Sequence, residues 1–239
     1  MPGPVFPATA DPLAAQKGGV SRVAVGILGG TFDPVHFGHL RAALEAQEVL
    51  GLAEVRLLPC GQPPHREPPR ASATDRLAML ELAAAGQPGL RVDRRELERS
   101  GPSYMVDTLA SLRAELGAAP LCLLLGSDAF LGLPQWHRWR ELLQLAHLVV
   151  LHRPGWTLES VPVPLAEVLA AHRLATAAAL TARPAGGILL QPVTPLDISA
   201  TAIRAQIAAG RSPRYLLPDA VWDYIRRRDL YVSAAAPAE

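Results

Sequence analysis

Cysteine, net charge and long apolar runs are all scarce in this sequence, and each scarcity removes a class of protein. Two cysteines, Cys60 and Cys122, are too few for a disulfide scaffold, and neither sits in a C-x-x-C pair or at a metal-ligand spacing. Both lie in or beside apolar strand-like runs, so reduced thiols in the interior are expected. A formal net charge of +1 provides no general field for nucleic acid or for an anionic membrane. Any anion must therefore be held locally. No apolar run approaches the roughly 18 residues of a membrane span, and the N-terminus has no basic segment followed by a continuous apolar one. A cytoplasmic protein is expected.

What is present is core material. Hydrophobic residues make up 49% of the 239 residues and charged ones 19%, the composition of a globular chain of a size that suits one α/β domain. Residues 1–21 mix Pro, Gly and Ala without a hydrophobic period, and Ser233 to Glu239 are Ala and Pro rich. Both are expected to be tails of one domain spanning 22–232. No internal repeat is apparent. Short apolar runs predict strands over Val23–Leu28, Val55–Pro59, Leu90–Val92, Leu121–Leu125, Leu148–Leu151 and Ile188–Leu190. Helical periods fall over His39–Leu50, Asp75–Ala85 with Thr74 as N-cap, Tyr104–Leu116, Arg138–Leu145, Ser199–Ala209 and Asp219–Arg227. The alternation predicts a Rossmann-like, doubly wound parallel sheet with a C-terminal helical segment. Gly155 to Gly187, rich in Ala, Pro and Leu, reads as a helical excursion without visible chemistry.

The most informative segment follows the first strand: Gly29, Gly30, Thr31, Phe32, Asp33, Pro34, Val35, His36, Phe37, Gly38, His39, Leu40. At this place in an open α/β sheet, strand ends face a crevice and a helix N-terminus offers free N–H groups to an anion. Gly29 and Gly30 let backbone approach phosphate. The segment lacks the lysine and hydroxyl of G-x-x-x-x-G-K-[ST], and its glycines do not fit G-x-G-x-x-G, which argues against a P-loop NTPase or an ordinary dehydrogenase. Two imidazoles at the mouth of a helix remain. One histidine alone reads as structural; a pair here reads as donors to a polyphosphate. A zinc site is the other reading, but no third ligand is evident, so no protein-held metal is expected.

Gly29 to Leu40 resembles the signature of the nucleotidyltransferase superfamily, and the chain resembles in particular the bacterial nicotinate-nucleotide adenylyltransferases. The likeness continues through Pro64-His65-Arg66, Arg95-Glu96, Gly101-Pro102-Ser103-Tyr104, Asp107-Thr108-Leu109, Gly126-Ser127-Asp128, Leu133 to Trp139 and Ile198 to Arg204. The resemblance implies that His36 and His39 contact ATP phosphates, with Gly29, Gly30, Thr31 and Phe32 around them, and that Ser199, Thr201 and Arg204 bind phosphates from a second helix N-terminus. On physics alone, Ser199 reads as a helix cap. Relatives often carry Ser at Ala200. Gly126 and Asp128 are implied in the nucleotide site, though Asp128 also reads as the N-cap of a following helix. One of Trp136 and Trp139 is expected to be core, and the resemblance points to Trp136 as the ring that stacks on the pyridine. Tyr104, Asp107 and Thr108 are implied on the acceptor side, with His65 and Arg66 on a loop. Met105 stands where relatives usually carry Thr beside the nicotinate carboxylate.

The implied reaction is adenylyl transfer from ATP to nicotinate mononucleotide, with Mg²⁺ carried by the phosphates. Transfer to nicotinamide mononucleotide or phosphopantetheine, and a nucleotide sensor without turnover, stand as alternatives. Oligomeric state is not legible.

Overall fold

A computed structural model describes residues 23–63, 67–153, 155–158 and 161–232. The expected tails, 1–21 and 233–239, and the loop residues His65 and Arg66 lie outside them. Six parallel strands form one sheet: β1 (Val25–Gly30), β2 (Glu54–Pro59), β3 (Leu90–Val92), β4 (Leu121–Gly126), β5 (His147–His152) and β6 (Ile188–Pro192). Their spatial order is β3-β2-β1-β4-β5-β6, so the direction of winding reverses between β1 and β4. The fold is the α/β doubly wound arrangement expected from the sequence.

Every predicted strand is present; the central ones are apolar runs covered on both faces, while the edge strand β3 is only half-buried and exposes Arg91. Residues alternate between two cores with the period of a strand: Cys122 and Leu124 of β4 enter one, while Leu121, Leu123 and Leu125 enter the other. The first core is closed by α1 (Phe37–Leu50), α2 (Ala73–Ala84), α8 (Ala200–Ala208) and α9 (Asp219–Arg227). The second is closed by α4 (Met105–Leu116), α6 (Leu142–Leu145) and α7 (Val163–His172), among others. Two short helices, α3 (Arg95–Glu98) and α5 (Ser127–Leu131), lie outside the ranges expected from helical periods; at four and five residues they are too short to show one.

The structure corrects two local expectations and bears out a third. The N-cap of α2 is Ser72, not Thr74: the Ser72 hydroxyl accepts from Asp75 N at 3.1 Å and donates to Asp75 Oδ2 at 2.6 Å, a reciprocal cap across three residues. The helix expected from Arg138 to Leu145 is broken; Arg138 takes a left-handed φ of 53°, a 3₁₀ turn covers Trp139–Glu141, and only α6 is α-helical. The Gly155 to Gly187 excursion does hold a helix, α7, and a 3₁₀ turn over Ala177–Thr181.

One feature of the register shapes the site. β1 pairs with β2 along all six residues, but with β4 only over Val25–Ile27 against Leu121–Leu123. Beyond Ile27 the two strands part. The crevice opens at the carboxyl ends of β1 and β4, at the switch of winding, where α/β sheets bind ligands.

Candidate active site

The turn from β1 into α1 forms one wall of this crevice. Phe32 adopts a left-handed φ of 49°, a costly conformation for an aromatic residue, and its ring lies over Gly30, where an added Cβ would stand 3.2 Å from the ring. The same ring meets His39 edge-on at 5.0 Å. His36 is the N-cap residue of α1, and its ring stacks on His39 with centroids 3.8 Å apart. Gly38 makes this packing fit, since a Cβ there would meet the His36 ring at 3.0 Å and Ile198 O at 3.5 Å.

The Nδ1 atoms of both histidines are buried and have no hydrogen-bond partner among the described residues. A buried N–H without an acceptor costs more than a buried lone pair, so each ring is best served with its proton on Nε2. Burial pushes His36 down to about 4. His39 is pushed down to about 3, by burial first and then by the neighbouring His36. Before a ligand arrives, the pair is neutral at physiological pH, and two N–H donors are available without a full charge.

Arg204 reaches this turn from α8. Its Nη1 donates to Asp33 O at 2.7 Å and its Nη2 to Thr201 Oγ1 at 3.3 Å. The second motif is thereby brought beside the first. Ser199 is exposed and caps α8, accepting from Ala202 N at 3.2 Å, while Thr201 is exposed in the first turn. The hydroxyl at 199 is therefore occupied by capping, and its second lone pair and proton remain for a ligand.

Sequence reasoning did not single out Asp33, yet this residue organises the wall. Its carboxylate accepts from Arg70 N at 2.7 Å, Ala71 N at 3.1 Å and the Tyr231 hydroxyl at 2.7 Å. Arg76, buried in α2, donates to Thr31 O at 2.7 Å. The partners lie on loops and helices distant in sequence, so no local spacing announces them. Thr31 is half-buried and faces Cys60, whose thiol donates toward Thr31 Oγ1 at 3.8 Å. Cys122 is buried in β4, which pushes its thiol up to about 12.

Gly126 ends β4 on the opposite side of the crevice. It is the N-cap residue of α5, so Asp128 is not the cap; its exposed carboxylate stands in the first turn. Tyr104 is the N-cap residue of α4, and its ring packs on His137 at 4.2 Å. Met105 leans on β1: a Cβ on Gly29 would lie 2.7 Å from its terminal methyl. Asp107 is half-buried and stands 3.8 Å from Arg138. Of the two indoles, Trp139 is the core one and Trp136 is only half-buried.

Thr108, expected on the surface of the site, is fully buried: its hydroxyl donates to Glu96 Oε1 at 2.7 Å and accepts from Arg99 Nη2 at 3.2 Å, so it supports the start of α4 from beneath. Burial pushes the Glu96 carboxyl up, against the pull of Thr108, Arg99 and Ser103. Ser103 Oγ accepts from Gly61 N at 2.9 Å and Gln62 N at 3.2 Å, tying the loop after β2 to the same region.

Among the described residues, no three His, Cys, Asp or Glu side chains gather as a metal-binding group, and no helix is long and apolar enough to cross a membrane.

Comparison with known proteins accords with this geometry. Residues 27–206 match the Cytidylyltransferase-like family model. A protein of Aeromonas salmonicida named "Probable nicotinate-nucleotide adenylyltransferase" is 54% identical over 210 residues, covering 88% of this chain and 98% of that one. A protein of the same name in Pseudomonas putida is 56% identical over 208 residues, covering 87% of this chain and 94% of its own. Among solved structures, the Plasmodium falciparum nicotinic acid mononucleotide adenylyltransferase complexed with NaAD shares the fold, with a TM-score of 0.67 at 14% identity over 87% of this chain and 97% of that one. Relatives more than half identical along nearly their whole length leave one assignment: the chain belongs to the nicotinate-nucleotide adenylyltransferase family of nucleotidyltransferase enzymes.

Proposed function

We propose that this enzyme joins ATP to nicotinate mononucleotide, giving nicotinate adenine dinucleotide and pyrophosphate, a step of NAD biosynthesis. An oxygen of the 5′-phosphate attacks the α-phosphorus of ATP in line; the bond from that phosphorus to the bridging oxygen of the β-phosphate breaks, and pyrophosphate leaves with the electron pair. The attacking phosphate is already a nucleophile at neutral pH, so no general base is required. Alignment and stabilisation of developing charge supply the catalysis.

The observation that carries this reading is the meeting of His36, His39 and Arg204 at one turn where β1 and β4 part. In our reading the Nε2–H groups of the histidines and the Arg204 guanidinium receive the charge that grows on the leaving pyrophosphate. Gly29, Gly30, Thr31 and Phe32 form the floor, Ser199 and Thr201 add contacts from the N-terminus of α8, and Gly126 with Asp128 faces the nucleotide from β4. Mg²⁺ enters with ATP as part of the substrate, since it keeps waters and takes phosphate oxygens and so asks for few protein ligands.

Trp136, Tyr104 and Asp107 form the acceptor side in this reading, with the indole stacked on the electron-poor pyridine. His65 and Arg66 add positive charge toward the phosphates in this reading. A reaction fed by ATP suits the cytoplasm. The test is pyrophosphate release from ATP and Mg²⁺ with nicotinate mononucleotide, nicotinamide mononucleotide and phosphopantetheine at matched concentrations. Preference for the acid nucleotide is expected. Preference for another acceptor overturns the substrate, and release with none of them overturns the enzymatic reading in favour of a sensor.

A further inference from the structure

We infer that Tyr231, near the end of the chain, is a positioning residue for the histidine pair, acting through Asp33; as an effect on turnover this rests on the proposed adenylyl transfer. The starting point is strain at the turn. Phe32 holds a φ of 49° that a non-glycine residue adopts only when its surroundings impose it. Both carbonyls that flank Phe32 are fixed by arginines, Thr31 O by Arg76 and Asp33 O by Arg204. The Asp33 side chain completes the grip with two backbone N–H groups, of Arg70 and Ala71 in the loop before α2, and the Tyr231 hydroxyl at 2.7 Å. Phe32 transmits the result directly, because its ring edge rests on His39, which stacks on His36.

Tyr231 gives the only grip on the Asp33 carboxylate, among the described hydrogen bonds, that comes from a side chain beyond α9. Its own backbone is unusual. Asp229 and Tyr231 both take left-handed φ values, 48° and 65°, and Leu230 N closes on Ile225 O at 3.1 Å. The chain thus turns back after α9 and points the phenol inward. Burial first, and then the bond to Asp33, raises the phenol above its ordinary value, so it stays a donor at every working pH. The carboxylate it serves is itself buried.

The molecule supplies a matched control. Tyr224, on α9, also donates its hydroxyl to a buried aspartate, Asp75 Oδ1 at 2.9 Å, but Asp75 is bonded to the Ser72 cap of α2 and does not hold the turn. Two C-terminal tyrosines therefore perform the same bond to different ends. Removing either hydroxyl costs stability; only one removal should reach the histidines.

The experiment compares Tyr231→Phe with Tyr224→Phe in the full chain. It measures kcat, the KM for the acceptor nucleotide, the melting temperature, and the imidazole ¹H–¹⁵N resonances of the ligand-free protein, assigned with His36→Gln and His39→Gln. Tyr231→Phe is expected to lower kcat about tenfold, the effect of losing one hydrogen bond to a charged group, with the acceptor KM unchanged and the His36 and His39 resonances moved. Tyr224→Phe is expected to lower the melting temperature with kcat and both resonances unmoved. Unmoved resonances and wild-type kcat in Tyr231→Phe, or an equal loss of kcat in Tyr224→Phe, would overturn the inference. An unmodified chain that turns over no acceptor would instead sink the proposed function, and the resonances would still decide whether Tyr231 sets the histidines.

Discussion

His147 at the amino end of the sheet and His36 at its carboxyl end are both buried imidazoles, yet their ring nitrogens meet different surroundings. His147 Nδ1 accepts from Gly187 N at 3.0 Å, which leaves Nε2–H to donate to Arg183 O at 2.9 Å. His36 and His39 each bury an Nδ1 with no partner among the described residues. The arginines divide in the same way. Arg113 spends its guanidinium on the carbonyls of Gly117, Ala119, Leu145 and Pro184, pinning the loops that enter β4, β5 and β6. Arg204 has one backbone carbonyl, one hydroxyl and a long ion pair with Asp33 Oδ2 at 3.9 Å, and is only partly buried. A fold satisfies its polar groups where they serve stability, and leaves capacity where a ligand must bind.

The sharpest way to break this comparison is to truncate the imidazoles. His36→Ala or His39→Ala should lower kcat at least about a hundredfold, since a transition-state donor of this kind is worth roughly 2.7–4 kcal/mol. The same change at His147 should lower the melting temperature and leave kcat of the folded fraction intact. Steady-state kinetics beside thermal melts checks both; equal kinetic losses at the two ends would end the distinction.

Arg113→Ala is the next test. Leaving those four carbonyls without their shared donor should cost about 2–3 kcal/mol, read as a melting temperature lower by roughly 5–10 °C. Turnover below that temperature should be unaffected. On the acceptor side, Trp136→Ala should raise the KM for the acceptor about tenfold, a stacking loss near 1.4 kcal/mol, with little change in melting. Its neighbour Trp139, buried in the core, should behave oppositely.

A further effect is in pH. His36 and His39 titrate near 6.5 when unfolded, but only at about 4 and about 3 in the fold. As pH falls below about 6.5 the unfolded chain takes up protons that the native pair refuses, so stability should decline from there toward pH 4. His147, also lowered by burial, contributes in the same direction. Denaturant midpoints across this range should therefore fall less in the His36→Gln, His39→Gln double variant than in the unmodified chain. An identical slope would mean that the pair carries no such penalty.

Much of this architecture is legible in the sequence because it is periodic. Six apolar runs bounded by turn residues became six strands, and α1, α4, α8 and α9 lie within two residues of the ranges their periods predict. What escaped is non-periodic or non-local. Ser72 outcompetes Thr74 as a cap through its reciprocal bond with Asp75, which a propensity for hydroxyls at caps does not distinguish. Arg138 breaks a helical pattern with one left-handed residue. Thr108 sits in a suggestive motif, but its hydroxyl is turned to Glu96 and Arg99. Asp33 draws its partners from Arg70, Ala71 and Tyr231, and no window of neighbouring residues contains them. The histidine pair was visible as spacing; that the two rings stack, with both Nδ1 atoms unpartnered among the described residues, was visible only in the fold.

The measurement that bears most directly on the central claim follows one phosphorus. ATP labelled at the α-phosphate is given to the enzyme with Mg²⁺ and nicotinate mononucleotide, and the products are separated. The account predicts that the label appears in the dinucleotide and that the pyrophosphate released is unlabelled. Label recovered in free AMP, or ATP left intact, would contradict it.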